Sequence, residues 1–314
     1  MNLWRKAPDL SLLLTLWLLL LLGIVFALPQ MLAAWSLTSI LQFATLLALV
    51  ALGQSLVVMT GGGGIDLSVG GNVSLSAVVG MLALNQGVTP ALLPLVCLVT
   101  GTLAGALNGM LVARLRLWPL IVTLGSFYLF SGLALALTGG AAISGVPPEL
   151  TQWGRGATFF IPLPFLVCVI PAFLIAWLLL SQSAWGKWIY ASGFNEHATR
   201  LVGIPVDRLR LLVYCLSGLL AGCAGFISLT WLGSARPEIG VNLELESLTA
   251  ALLGGVAIFG GRGSVIGVLA AALMLVTIKT CMLQLGLNSV WQLGAVGLLL
   301  ILVLMAQRLF IYRR

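Results

Sequence analysis

Charge is scarce in this chain. Its 314 residues hold eight acidic and fifteen basic side chains, 7% of the total, against roughly a quarter in soluble globular proteins. With 61% of residues hydrophobic, water cannot be the main solvent, and a separate soluble domain has almost no room. Histidine is nearly missing. His197 stands alone, with no second histidine or cysteine near it, which excludes a Ser/His/Asp set and leaves it as a solvated loop residue. The nucleotide loop G-x-x-x-x-G-K-[ST] is absent: Gly186-Lys187 is followed by Trp188, and Ser181 stands five positions before Gly186. The chain is therefore expected not to hydrolyse ATP itself and not to be an enzyme. Few carboxylates fall deep in the apolar runs, which argues against proton-coupled pumping. The five cysteines (Cys97, Cys168, Cys215, Cys223, Cys281) lie within apolar runs with no C-x-x-C spacing, predicting free thiols, no disulfide and no metal site. The net charge of +7 does not signal nucleic acid, because the basic residues are scattered at the ends of apolar runs.

What the chain has in abundance is apolar length. A hydrocarbon core about 30 Å thick takes roughly 20 apolar residues per helix. Runs between Gly, Pro, Asn and charged clusters give ten candidate spans, at 10–28, 37–60, 67–85, 91–114, 119–138, 162–181, 209–230, 244–259, 264–283 and 289–308. With a cytoplasmic N-terminus, the inner segments hold Arg5, Lys6, Arg114, Arg116, Lys187, Arg200, Arg208, Arg210, Arg262, Arg308, Arg313 and Arg314, and the outer ones only Arg155 and Arg236. That asymmetry predicts an even number of spans with both termini cytoplasmic. The first run, Leu10 to Leu28, follows Arg5 and Lys6 as a signal peptide would. It is longer than the roughly 7–15 residue core of such peptides and lacks a small-x-small cleavage site, so it reads as an uncleaved first helix. The expected fold is all-α: one polytopic transmembrane bundle over 1–314 of about ten helices, with a broken or re-entrant segment near 60–68. The longest outer loop falls at about 139–161 and the longest inner loop at about 182–208.

Three segments stand out. Four glycines, Gly61 to Gly64, cannot form a stable helix interior, and amides freed by a break inside a membrane must find protein or cavity water. Gly63, Gly64, Asp66, Ser68 and Asn72 thus become candidates for the wall of a solute path at a discontinuous helix. The alternative is a cytoplasmic turn in which Asp66 or Ser68 caps the next helix, and the span count favours that cap for Asp66. In the inner loop, Asn195 is a good N-cap, Glu196 suits a first helical turn, Arg200 follows it by four residues, and Gly203 then Pro205 end the helix. A short amphipathic helix docking on a cytoplasmic partner is preferred there over a connector lying on head groups. Gly101, Gly105 and Gly109 put a small residue at every fourth position, a stripe for close helix packing. Glu244 and Glu246 suit the start of an outer span, and Lys279 is expected to snorkel to head groups. Glycine clusters at 61–64 and at 254–263, about 195 residues apart, form a faint internal echo of the kind transporter repeats leave.

Gly64-Ile65-Asp66-Leu67-Ser68-Val69-Gly70, Asn108-Gly109 with Pro119 and Thr123-Leu124-Gly125, the stretch from Gly186 to Gly203, and the block from Glu244-Leu245 through Gly254-Gly255 to Gly260-Gly261-Arg262-Gly263-Ser264 together resemble the permeases of ATP-binding-cassette importers for ribose, xylose, arabinose and autoinducer-2. The resemblance covers nearly the whole chain. One departure is the doubled glycine pair before Ile65, where one or two glycines are expected, and it bears on the local backbone path. The resemblance implies an inner-membrane permease that passes a sugar or sugar-like solute. It implies a second permease subunit (homodimer or heterodimer), two cytoplasmic ATPase subunits that bind ATP and Mg, and a periplasmic solute-binding protein. No cofactor is expected in this chain. By the same resemblance Gly193, Asn195, Glu196, Ala198 and Gly203 belong to the helix that couples to the ATPase, and the i,i+4 spacing from Glu196 adds Arg200 to it. The stretch from Gly139-Gly140 to Trp153 is closer to the autoinducer-2 members. A self-powered transporter or channel and a membrane-embedded enzyme are the competing classes, and both need intramembrane ionisable residues that are scarce here.

Overall fold

The structure, a computed structural model, describes residues 8–311. Thirteen α-helices carry the described chain: α1 (Pro8–Ala27), α2 (Ala34–Met59), α3 (Val69–Asn85), α4 (Leu93–Ala113), α5 (Pro119–Thr138), α6 (Pro148–Arg155), α7 (Ile170–Gln182), α8 (Ala184–Phe194), α9 (Glu196–Leu201), α10 (Val206–Leu232), α11 (Leu243–Leu253), α12 (Val265–Gln284) and α13 (Ser289–Ile311). Sheet is limited to two antiparallel two-residue pairs, β1 (Ile143–Ser144) with β4 (Ser234–Ala235) and β2 (Ala157–Thr158) with β3 (Ile161–Pro162). The sequence punctuates the helices directly. Proline opens α5 and α6, where its missing N–H costs nothing. Gly139 and Gly233 close α5 and α10 in the left-handed region, at φ +60° and +73°.

Among the described residues six segments are long and apolar enough to cross a bilayer: Ala34–Met59, Pro90–Ala113, Pro119–Thr138, Phe165–Gln182, Val206–Leu232 and Val265–Gln284. This is an all-α multi-pass membrane bundle. Its mast is α10, 27 residues long and hence about 40 Å. Helices α2, α3, α4 and α6 all lean on it. The closest approach is to α4, through the predicted glycine stripe. A Cβ on Gly101 would collide with the Gly218 carbonyl oxygen and one on Gly105 with that of Tyr214. Glycine on both helices lets the backbones touch.

Two crossings are broken. Gly62 sits beside the Arg210 guanidinium, the Ile65 carbonyl accepts from the Tyr214 hydroxyl at 3.5 Å, and Asp66 accepts from Ser217. From Arg210 to Ser217 the mast rises seven residues, about 10 Å, so residues 61–68 climb into the bundle before α3 begins. From the opposite end, residues 236–242 descend until the Gly240 amide donates to Ser74 Oγ at 3.0 Å and Gly240 abuts Gly70. There α11 starts and runs back toward α8 and α9. The span expected at 244–259 is therefore not a single helix. Helix α11 has 11 residues, about 16 Å, and Gly254 and Gly255 end it against α12. The glycine cluster at 254–263 does precede a helix, α12, as the one at 61–64 precedes α3, but the helix that starts inside the bundle as α3 does is α11.

Candidate functional site

Helices α8 and α9 project from one end of the bundle, between α7 and α10. Ser183 caps α8 by accepting from the Gly186 amide at 3.1 Å, and Asn195 caps α9 by accepting from the Ala198 amide at 2.9 Å. Gly203, at φ +83°, ends α9: its amide bonds to the Arg200 carbonyl, and that of Ile204 to the Thr199 carbonyl. Glu196 and Arg200 form the expected i,i+4 pair at 2.8 Å. Their other partners were not legible in the sequence. Glu196 Oε2 takes Arg210 Nη2 at 2.9 Å, and Arg200 Nη1 donates to Asp207 Oδ2 at 3.0 Å. Four alternating charges thus tie α9 to the foot of α10. Partial burial raises the pKa of Glu196, but hydrogen bonds from Arg210 and Arg200 outweigh it and hold the group below the ordinary carboxylate value. Arg210 is turned into the core and Glu196, Arg200 and Asp207 are half-buried, while apolar side chains stand furthest out: Phe194 is 86% exposed, Leu201 75% and Val202 74%, with Asn195, His197 and Ala198 exposed between them.

Behind this ridge three glycine segments share one contact. A Cβ on Gly193 would collide with the Met59 carbonyl oxygen and the Gly261 nitrogen, and one on Gly260 would lie 2.6 Å from the Gly61 Cα. The Gly261 amide donates to the Met59 carbonyl at 3.0 Å, and Ser192 Oγ to the Thr60 carbonyl at 3.3 Å. The break after α2, the projecting helices and the 254–264 loop are therefore a single backbone knot. Gly193 belongs to it, on the inner side of the projection, rather than to the outward surface.

Above the knot lies a buried polar seam. Asp66 does not cap α3, which starts at Val69 with no side-chain cap. Its Oδ1 takes the Ser68 amide at 3.1 Å and the Ser68 hydroxyl at 2.6 Å, and its Oδ2 takes the Ser217 hydroxyl at 2.9 Å. Asn108 Nδ2 donates to Ser68 Oγ at 2.7 Å, and Asn108 Oδ1 accepts from the Ser126 hydroxyl. Asn72 bonds the Gly101 carbonyl at 3.1 Å and accepts from Ser76. Asp66, Ser68 and Asn72 are each 1% exposed. The groups expected to offer themselves to a solute are consumed by α4, α5 and α10, Gly64 is buried as well, and only Gly63 is exposed. Asn108, Ser126 and Ser217 complete the seam. Their only signal was polarity inside apolar spans.

A second intramembrane pair sits toward the opposite end. Lys279 Nζ lies 2.6 Å from Glu246 Oε1, so the lysine turns inward instead of snorkelling. Glu246 is buried, and leaving its charge uncompensated would cost more than a head-group contact returns. The pair opens on a cavity of about 320 Å³ walled by Phe43, Trp231, Thr280 and Gln292. Glu244 and Glu246 do fall in the first turn of α11.

The sequence profile described as branched-chain amino acid transport system / permease component matches residues 36–304. The ribose import permease protein RbsC of Bacillus subtilis (strain 168) is 36% identical over 284 residues, 89% of this chain and 87% of that protein. The autoinducer 2 import system permease protein LsrC of Enterobacter sp. (strain 638) is 36% identical over 288 residues, 91% and 83%. The fructose import permease protein FrcC of Rhizobium meliloti is 34% identical over 284 residues, 86% and 77%. No solved structure matches the chain.

Proposed function

We infer the function of this chain from one premise: it belongs to the branched-chain amino acid transport system / permease component family. It is the membrane-spanning permease subunit of an ATP-binding-cassette importer and provides the passage for a sugar or sugar-like solute, autoinducer-2 among the candidates. ATP and Mg are bound and hydrolysed on a cytoplasmic partner, and solute arrives from a periplasmic binding protein. A second permease subunit, identical or related, completes the passage. The end that carries α8 and α9 faces the cytoplasm, as do both termini, in a bacterial inner membrane.

The observation that carries this reading is the ridge of Phe194, Ala198, Leu201 and Val202, exposed in front and braced behind by ion pairs and the glycine knot. An exposed apolar surface on a water-facing projection marks a contact with a protein or a membrane, and the bracing favours a protein, because a braced surface can transmit a push. In this proposal the ridge docks on the ATPase, Asn195 and Gly203 bound the docking helix, and Glu196, Arg200 and Gly193 hold it to the core. The pathway reading of Gly63, Gly64, Asp66, Ser68 and Asn72 narrows accordingly: these residues set the position of the wall formed by α3, and Gly63 alone is placed to meet solute. Switching between two states requires a partner with different affinity for each, and the knot joins the docking helix to both broken crossings.

Co-purification and transport test this together. A tagged chain should recover an ATPase subunit, and uptake into proteoliposomes holding permease, ATPase and binding protein should require ATP. Recovery of no ATPase, with uptake continuing without ATP, would sink the reading in favour of a self-powered transporter or channel.

A further inference from the structure

The α4–α5 turn and the foot of α10 enclose more positive charge than the α9 network uses. Two adjoining cavities, of about 350 and 370 Å³, share Arg116, Arg200 and Asp207 in their linings. Arg210 and Glu196 complete the first, and Arg114 and Arg208 the second. Five guanidiniums against two carboxylates leave an excess of three. Both carboxylates are already engaged by Arg200 and Arg210. The side chains of Arg114, Arg116 and Arg208 make no hydrogen bond or ion pair among the described residues, and Arg116 acts on Asp207 only through space. Arg116 sits at φ +54°, a conformation a non-glycine residue holds only where its surroundings impose it.

Orienting a membrane protein needs basic residues on the correct loops, but not their convergence on a shared cleft. The rim of that cleft also has a direction. Beside it Leu115 is 63% exposed, Trp118 78% and Ile121 70%. Trp118 immediately precedes Pro119, the first residue of the membrane-crossing α5. Guanidiniums at the level of an interfacial tryptophan, followed directly by an exposed apolar helix face, match a ligand with an anionic head and hydrocarbon tails. A soluble anion would use the arginines and leave the apolar rim unexplained.

We propose that this cleft is a binding site for an anionic phospholipid: its phosphate is held by Arg114, Arg116 and Arg208, and its acyl chains run along Trp118 and Ile121. The site rests on the chain's place in a bilayer and not on the identity of the solute or the ATPase.

The test uses the full chain purified in mild detergent, without ATP, solute or partners. Native mass spectrometry follows retention of phosphatidylglycerol against phosphatidylcholine. The wild type should prefer phosphatidylglycerol by about tenfold or more, since each basic residue near an anionic lipid surface contributes measurably. Arg114→Gln with Arg116→Gln and Arg208→Gln should bring the two lipids to near parity. Arg236→Gln, at the opposite end, should leave the preference intact. The triple lysine variant keeps the charge and should keep most of the selectivity, which separates loss of the site from loss of the fold. Equal retention of both lipids by the wild type overturns the proposal, as does a triple glutamine variant with unchanged selectivity. Displacement of the lipid by millimolar inorganic phosphate would assign the cleft to a soluble anion and overturn it as well. A triple variant that loses the ATPase but keeps lipid selectivity would make the cleft a protein contact, with the same consequence.

Discussion

Glu196 and Lys279 each acquire a meaning from neighbours far along the chain. Glu196 reaches Arg210 across fourteen residues and Lys279 reaches Glu246 across thirty-three. Because hydrogen bonds from Arg210 and Arg200 lower the pKa of Glu196, the stability it lends α9 is present above its ordinary value of 4.5 and lost as pH falls through its lower folded value. Hydrogen exchange of the α9 amides, corrected for intrinsic rates, should be flat across neutral pH and accelerate only below 4.5. Changing Glu196 to Gln together with Arg200 to Gln should cut ATP-dependent uptake by about tenfold or more while ATPase turnover continues, because a loosened helix still docks but no longer transmits. That margin matches the lower end of the roughly 1.5–3 kcal/mol expected for hydrogen bonds to charged groups, and unchanged uptake would remove the coupling assignment. For the second pair, Lys279→Met should lower stability by about 3 kcal/mol in detergent unfolding, since it strands the Glu246 charge. Adding Glu246→Leu should recover most of that loss. A pair that contributes nothing would show simple additivity instead.

At the scale of elements, the decisive parts are backbone contacts that no side chain mediates. Gly193 touches Met59 and Gly261, and Gly61 touches Gly260. Gly193→Ala should displace α8 and α9 from the core, costing about 1–3 kcal/mol and reducing recovery of the ATPase, with helix content by circular dichroism unchanged. Recovery equal to wild type would show that the knot plays no part in docking. The two half-helices were only partly legible. Four consecutive glycines announced the break before α3. The break before α11 was hidden, because residues 244–259 are as apolar as a full span. Only the contact of Gly240 with Gly70 and Ser74 reveals that α11 starts inside the bundle. Periodicity reports which side chains are apolar, not how deep a helix begins.

For the whole molecule, the proposed orientation makes a direct prediction. With the five native cysteines replaced by alanine, Phe194→Cys should react with a membrane-impermeant thiol reagent only in inside-out vesicles. Phe159→Cys, at a position 90% exposed beyond α6, should react only from the periplasmic side. Labelling of both from one side would overturn the proposed topology.

Sequence by itself determined that this chain lives in a membrane as a many-crossing helical bundle, because the thickness of hydrocarbon sets how much apolar length a crossing needs. It also determined the caps at Asn195 and Gly203, because local backbone chemistry acts over a few residues. Tertiary structure alone decided which crossings are broken, that Asp66 binds Ser217 instead of capping a helix, that Lys279 turns inward, and that Arg210 braces the docking helix. Each of these is a contact between distant residues, from 14 positions apart for Glu196 and Arg210 to 166 for Ser74 and Gly240. In an apolar medium a buried polar group takes whatever partner the packing brings within reach, and local sequence carries no record of that choice.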